Sequence, residues 1–390
     1  MRHAVIIEAV RSPIGRAHSE KGMYRDVRAD DLSAHVMDAL LKKANVPAAD
    51  IEDVHWGCVR QDKEQGYDIA RMAALIAGFP IETPGASVNR NCGSSLQAIH
   101  QAAQSIAAEC EDVQIAGGVE HMHHLPFDDS YQPSPKYLYR HSPATLHMGL
   151  TAENLARKYR ISRKEQDEFA LRSHRRAAEA TDAGQFKDEI VPTWGRDADG
   201  RKQIMTGDEC IRRDTSLEAL GGLKPAFMPE GGSVTAGNAS PLNVGAAALL
   251  VMSEERANEL GLKPKARIKA MAVAGVDPAV MGIGPVPATH KALERAGVKL
   301  SDIDLIEINE AFAAQTLAVI KLLEADPEKV NVRGGAIAIG HPLGASGARI
   351  ATTLIHALLA RKAKFGLATM CIGAGQGIAT IFENVSNGHG

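Results

Sequence analysis

The chain has 390 residues, 45% of them apolar, which is enough to bury a sizeable core and, at roughly 150 residues per domain, to form about two to three domains. Its 44 basic and 47 acidic residues leave a formal net charge of -3, a near balance that gives no support to the strongly basic surface of a nucleic-acid binder. Five cysteines, at 58, 92, 110, 210 and 371, are few and odd in number, so free thiols in a reducing compartment are expected rather than a disulfide framework.

No run approaches the ~18 consecutive apolar residues of a membrane span, so no transmembrane segment is expected. The opening residues, Met1 to Glu8, read as a first strand and not as a leader. The tail, Ser386 to Gly390, matches no peroxisomal address, and a cytoplasmic location is the expectation.

Short apolar runs alternate with amphipathic stretches of helical length, the pattern of an α/β protein whose sheets are covered by helices. Strands are expected over 4–7, 54–57 and 113–116. Between the last two, Leu96, Ile99, Ala103, Ile106 and Ala107 recur at spacings of three and four, which predicts a helix beginning just after Cys92. Residues 121–237 break this rhythm with prolines between 126 and 143, a charged helical segment over 151–180 and a turn-rich piece at 197–200. They read as an inserted loop domain. The flanks then form an N-terminal half of 1–120 plus about 238–262, and a C-terminal half of 263–390. In the latter, strands are expected over 267–273, 305–308, 335–339, 365–370 and 378–382, with a helix over 347–359. Letter-for-letter similarity between the halves is too faint to count as a repeat.

Four constellations carry chemistry. Cys92, in Asn91-Cys92-Gly93-Ser94-Ser95, sits where a loop hands over to a helix, and unpaired N–H groups and the positive dipole end there lower a thiol pKa. The same position also suits a small cysteine packed at a helix start. Cys371 ends an apolar run and precedes Gly373-Ala374-Gly375-Gln376-Gly377, which lacks both the third glycine and the following helix of a nucleotide loop. A hairpin with a thiol and exposed N–H groups at its tip, or a tight turn with an incidental cysteine, fits better. His341, between Gly340 and Pro342, follows a predicted strand, where functional side chains of α/β folds collect, and can deprotonate a thiol or cap a turn. Asn309 and Glu310 follow the strand over 305–308; Asn309 can hold a water or an oxyanion, or the pair can cap a helix at Phe312. Two thiols, an imidazole and an amide, all at element ends, are the equipment for thioester exchange. His121, His123 and His124 lack the Cys or acid spacing of a closed tetrahedral site, so no metal is assigned; they are expected at an acyl pocket or its mouth.

In this order and separation the four motifs resemble the thiolase family, and the resemblance runs from Val5 to Phe382. Gly118-Val119-Glu120-His121-Met122, residues 231–240, Gly284-Pro285-Val286-Pro287-Ala288 and Met370-Cys371-Ile372-Gly373 look like the β subunits of bacterial fatty-acid oxidation complexes more than the biosynthetic acetoacetyl-CoA thiolases. The resemblance implies two similar βαβαβαββ halves in a five-layer αβαβα sandwich with an inserted loop domain. It implies CoA-dependent cleavage of 3-ketoacyl-CoA, the last step of fatty-acid β-oxidation, with Cys92 as the acylated nucleophile and Cys371 as general acid and base. His341 would accept the proton and bind an oxyanion, Asn309 would hold an oxyanion water, and the backbone of Cys92 and Gly373 would supply oxyanion donors. CoA is then a co-substrate touching His147, Met148, Arg212, Ala239 and Ser240, with no permanently bound cofactor. The basic excess over 157–176, eight Arg/Lys against three acids, would draw its phosphates. A homodimer or tetramer is implied, and a hydratase/dehydrogenase α subunit as a possible partner. Val244 and Ala345 depart from the family, which usually has Asp before Gly245 and a thiol between Gly344 and Ser346. The nearest alternatives are a biosynthetic acetoacetyl-CoA thiolase and a thiolase-like ketosynthase, against which Cys371 argues; a non-catalytic lipid-binding relative needs no reactive thiol, and a cysteine hydrolase would release a free acid.

Overall fold

The computed structural model describes residues 2–126 and 131–386; Asn387–Gly390, read above for an address signal, lie outside them. In chain order the elements that position the site are β1 (Ala4–Arg11), α1 (Ala29–Ala44), β2 (Asp53–Gly57), α2 (Ile69–Ile76), β3 (Ala86–Val88), α3 (Ser94–Ala107), β4 (Val113–His121), α4 (Met148–Tyr159), α5 (Arg163–Asp182) and β5 (Asn243–Ser253). They continue with β6 (Ala266–Gly275), α6 (Pro285–Ala296), β7 (Leu305–Ile308), α7 (Ala313–Leu323), α8 (Ser346–Arg361), β8 (Phe365–Ile372) and β9 (Gln376–Asn384).

The strands follow one another in the order β3-β2-β4-β5-β1-β6-β9-β8-β7. Around β1 the order is mirrored in kind. β1 pairs antiparallel with β5, β5 antiparallel with β4, and β4, β2 and β3 run parallel. On the other side β6 pairs antiparallel with β9, β9 antiparallel with β8, β8 runs parallel to β7, and Ile306 bridges Val330 in parallel. The Val330 bridge stands where β3 stands in the first half. The chain is thus two like halves whose kinship lies in topology, and only the contacts Val5 with Arg267 and Ile6 with Ala266 join β1 to β6.

Alternation along β5 shows the layering. Ala246, Ala248, Leu250 and Met252 face an outer core with α1 and α2, whereas Ala247, Leu249 and Val251 face a central core with α3 and α8. The second sheet repeats this, with Ala368, Met370, Ile378 and Phe382 turned inward and Leu367, Ala379 and Ile381 turned toward α6 and α7. Five layers, αβαβα, result. Strands covered on both faces read as continuous apolar runs, which is why 246–252 carried no alternation signal in the sequence.

The central layer is α3 against α8. Every residue of α8 from Ser346 to Leu358 is buried. The helical stretch Leu343–Arg361 is apolar and long enough to cross a membrane by composition alone, yet it lies in the protein core, 83% buried. The N-terminal turns of the two helices abut. A Cβ on Gly347 would strike the backbone N of Leu96, and the Ala348 N–H donates to Ser95 Oγ at 2.9 Å.

Two sequence expectations change. Residues 335–339 are not a strand but a short helix, Ala336–Ile339: the N–H groups of Gly335 and Ile337 go to Ser173 Oγ and the Glu310 carboxylate instead of to a ladder. A short apolar run does not distinguish the two states. The single helical segment over 151–180 is two helices, α4 and α5, separated where Arg160 turns left-handed (φ 54°) and Ser162 and Glu165 form a capping box.

Candidate active site

Cys92 lies on a tight turn entering α3. Asn91 adopts φ 46°, a left-handed conformation that Asn tolerates, and the Gly93 and Ser94 N–H groups return to the carbonyls of Arg90 and Asn91 at 3.0 Å each. Ser94 Oγ locks the turn by donating to Asn91 O at 2.6 Å and accepting from Arg90 N–H at 3.0 Å. The sulfur is partly buried, and burial pushes the thiol up to about 11, while the backbone N–H groups of Gly373 and of Cys92 itself pull it back. The helix-dipole expectation of a depressed pKa is therefore corrected. Desolvation outweighs the helix end, and the resting group is a thiol that needs a base. The two N–H groups directed at this sulfur are the pair that the sequence reading named as oxyanion donors.

Cys371 is the penultimate residue of β8, facing Gly377 across the β8–β9 hairpin, whose tip is Gly373-Ala374-Gly375 with Ala374 and Gly375 at φ 66° and 80°. The hairpin reading holds, and the tip is tied to the Cys92 turn. Asn91 Nδ2 donates to Gly373 O at 3.3 Å, and Arg90 Nη1 donates to Gln376 Oε1 at 3.1 Å. Ile372 fills the space against Gly93, where an added Cβ would meet its Cδ1 at 2.5 Å. Burial, and then the charge of Cys92, hold the Cys371 thiol far above the ordinary cysteine range. The two sulfurs, 279 positions apart in sequence, therefore sense each other. Around Cys371 lie Met148, Ala239, Met281 and Phe312.

His341 follows the short helix and precedes α8, and it is buried. Its N–H donates to Asn243 Oδ1 at 2.8 Å, anchoring it to β5 of the other half. Its Nδ1 lies 2.6 Å from Ser346 Oγ, and that hydroxyl also lies 2.8 Å from the Pro342 carbonyl. A carbonyl only accepts, so the hydroxyl hydrogen goes to Pro342 and Nδ1 must donate. The imidazole proton sits on Nδ1 and Nε2 is left with its lone pair. Burial, reinforced by the charge of Arg349, lowers the imidazole pKa to about 3, so the ring is neutral near pH 7.

Asn309 directly follows β7, and its Nδ2 lies 3.4 Å from both ring nitrogens of His341, at the outer limit of hydrogen bonding. Its Oδ1 is buried without a hydrogen-bond partner, an acceptor suited to a water. It does not cap α7, because Phe312 is the N-cap and has no side-chain bond. Glu310 is instead a structural clamp, accepting from Ser173 Oγ, Asn331 Nδ2 and Ile337 N–H.

The abutting N-termini of α3 and α8 bring the Cys92 turn and the His341–Ser346 loop to one place. Three supporting residues escaped the sequence reading: Ser346, Asn243 and Glu120. Buried Glu120 accepts from the N–H groups of Val59, Arg60 and Gly344 and from Gln65 Nε2, tying the His341 loop to the end of β2. Its place in a Gly-Gly-Val-Glu run ending a buried strand was the available signal, as was a Ser one turn beyond His341 at a helix start.

Of the expected CoA contacts, Met148 packs beside Cys371 and its Sδ would lie 3.5 Å from a Cβ at Gly373. Ala239 bridges Phe312, and the Ser240 N–H donates to Ala311 O at 3.0 Å, so both lie beside the Asn309 loop. Arg212 lines a neighbouring cavity of about 410 Å³ that Ala239 also borders. His147 is exposed at the N-cap of α4. Half of the basic stretch over 157–176 is paired with acids of the protein: Arg163 binds Asp167, Lys164 binds Glu168, and Arg172 and Arg176 bind Glu328.

The histidines at 121 and 124 do meet an acid, Glu64, which the sequence could not place beside them. All four ring nitrogens of His121 and His124 are engaged, with Tyr24 O, the His124 N–H, Glu64 Oε1 and Arg25 O.

Two like halves, each sending a helix N-terminus to a shared centre that holds two thiols, an imidazole and an amide, define an acyl-transferring enzyme. The chain belongs to the thiolase family: the thiolase N-terminal domain matches residues 4–255 and the thiolase C-terminal domain residues 262–384. It is similar to a 3-ketoacyl-CoA thiolase of Pectobacterium carotovorum, 56% identical over 389 residues, 99% of this chain and 100% of that protein. Among solved structures it resembles human mitochondrial 3-ketoacyl-CoA thiolase, with a TM-score of 0.91 at 40% identity over 98% of this chain and 99% of that one, a protein also solved in complex with CoA. It likewise resembles the acetyl-CoA acetyltransferase of Bacillus anthracis, with a TM-score of 0.89 at 44% identity over 99% of both chains.

Proposed function

We propose that the chain acts as a 3-ketoacyl-CoA thiolase, cleaving 3-ketoacyl-CoA with free CoA to acetyl-CoA and a shortened acyl-CoA as the last step of fatty-acid β-oxidation. The observation that supports this reading is the tie between the Cys92 turn and the Cys371 hairpin, made by Asn91 Nδ2 on Gly373 O, Arg90 Nη1 on Gln376 Oε1 and Ile372 packed against Gly93.

His341 Nε2 takes the Cys92 proton, and the thiolate attacks the keto carbon. The bond between C2 and C3 breaks, leaving an acyl group on Cys92 and the enolate of acetyl-CoA. The enolate oxygen is received by the His341 and Asn309 side, while the N–H groups of Cys92 and Gly373 receive the tetrahedral oxyanion on the acyl carbon. Cys371 gives its proton to C2, and acetyl-CoA departs. The Cys371 thiolate then takes the proton of incoming CoA, whose sulfur displaces Cys92 from the acyl group. Cys92 regains its proton from His341. A thiol held well above its ordinary pKa is a strong base once ionised, which suits Cys371 to this exchange with carbon and sulfur.

CoA lies along Met148, Ala239 and Ser240, with Arg212 toward its nucleotide and His147 at the outer end. The chain divides into an N-terminal half of 1–120 plus about 238–262, an inserted CoA-binding domain of 121–237 and a C-terminal half of 263–390. It works in the cytoplasm as a homodimer or tetramer, alone or with a hydratase/dehydrogenase α subunit. The 44% identity to an acetyl-CoA acetyltransferase favours a second reading, a biosynthetic acetoacetyl-CoA thiolase. Thiolysis of a ladder of 3-ketoacyl-CoA lengths decides. Turnover of long chains supports β-oxidation, turnover of acetoacetyl-CoA alone supports the second reading, and no acyl-CoA product at any length refutes both.

A further inference from the structure

The cavity beside the catalytic cluster has an unusual charge balance. Its wall includes Arg16, His174, Cys210, Arg212 and Ala239, with two guanidinium groups and no carboxylate. Arg212 and Arg16 are both exposed, and neither guanidinium forms an ion pair with a carboxylate among the described residues. His174 accepts the Arg212 N–H on Nδ1 at 3.1 Å, which leaves its hydrogen on Nε2 as a further donor. At about 410 Å³ the space falls within the ~300–1,000 Å³ of small-molecule sites. Ala239 belongs both to this wall and to the cluster around Cys371, so a ligand whose anionic end occupies the cavity can extend a thiol-bearing arm toward the reacting sulfurs. Two guanidiniums without a carboxylate partner, lining one space, suit a multiply charged anion.

We propose that Arg16 joins Arg212 in reading the phosphates of the CoA nucleotide, and that this pair makes the enzyme prefer CoA over thiols that carry only the pantetheine arm. The proposal rests on the reading of the chain as a CoA-dependent thiolase. Arg16 is here a specificity-determining residue, supplied by the segment after β1 and not by the insertion.

The test compares CoA with pantetheine as acyl acceptor, as the ratio of their kcat/KM values in thiolysis of acetoacetyl-CoA. Arg16→Ala is expected to lower that ratio about tenfold, the size of one charge-assisted contact at a partly exposed site, and Arg16→Lys to recover most of it. A wild-type ratio near one, or a ratio unmoved by Arg16→Ala, overturns the proposal. Should the chain show no thiolysis with either thiol, the underlying reading fails, and calorimetric titration with adenosine 3′,5′-bisphosphate still decides the cavity. Weaker binding to Arg16→Ala than to the wild type upholds the site, and equal binding overturns it.

Discussion

Ser346 touches neither sulfur, yet the geometry gives it control of which nitrogen of His341 can accept a proton. Replacing it with alanine removes the partner 2.6 Å from Nδ1 and leaves a buried N–H unsatisfied, at about 1–3 kcal/mol. It also frees the ring to move its hydrogen to Nε2, the tautomer that cannot deprotonate Cys92. At about 1.4 kcal/mol per tenfold, kcat is expected to fall roughly 10–100-fold. The CoA KM is expected to move by less than about twofold, because Ser346 lies in the central layer away from the CoA contacts. Iodoacetamide labelling of Cys92 near pH 7 should slow in step, since it needs the same proton removal. Thermal melts of the variant separate loss of fold from loss of base. A kcat within twofold of wild type, with an unchanged labelling rate, would refute the tautomer argument.

Other consequences are as direct. Cys92→Ser should abolish both thiolysis and alkylation at the site; near-normal turnover rules out the acyl-Cys92 intermediate. With the Cys92 thiol raised to about 11, its alkylation rate should keep climbing about tenfold per pH unit through pH 8–10, and a plateau by pH 8 contradicts the desolvated thiol. Gly93→Ala drives a methyl into Ile372 Cδ1 at 2.5 Å and should cost about 1–3 kcal/mol in denaturant unfolding while displacing the Gly373 donor and lowering kcat; unaltered stability and rate would show that the hairpin yields freely. His100 and His341 are lowered to about 3, and His121 and His174 to about 4, so the fold refuses protons that the unfolded chain accepts below pH ~6.5. The stability these neutral rings contribute is fully present above that value and is lost as pH falls toward 4, so the urea midpoint should drop between pH 7 and pH 4.5; a constant midpoint contradicts the assignment.

The reacting residues were legible because chemistry concentrates them at element ends with distinctive neighbours: Cys92 before an apolar helix stripe, Cys371 before a glycine turn, His341 between Gly and Pro. Their supports were not. Asn243 and Glu120 act across the join between the halves, through partners 98 and 224 positions away, and no local pattern encodes such a bond. The strand expected at 335–339 failed for the same reason. Its backbone donors are claimed by Glu310 and Ser173, side chains that tertiary structure brings there. The direction of the Cys92 pKa shift was misjudged because a helix end is visible in sequence and burial is not. Kinship between the halves survives as strand order and register, which constrain only which residues are apolar.

The pairing of β1 with β5 sets a condition on biosynthesis. Ala4 lies against Ser253, so once β1 leaves the ribosome about 250 further residues must follow before its principal neighbour exists. At translation rates of about 5–20 residues per second that interval is on the order of tens of seconds, during which an eight-residue strand, six of its residues apolar, has no native partner on that side. This topology therefore favours shielding of nascent β1, by chaperone or by transient contact with α1, and slowing elongation over 12–242 should raise the aggregated fraction more than slowing it after Ser253.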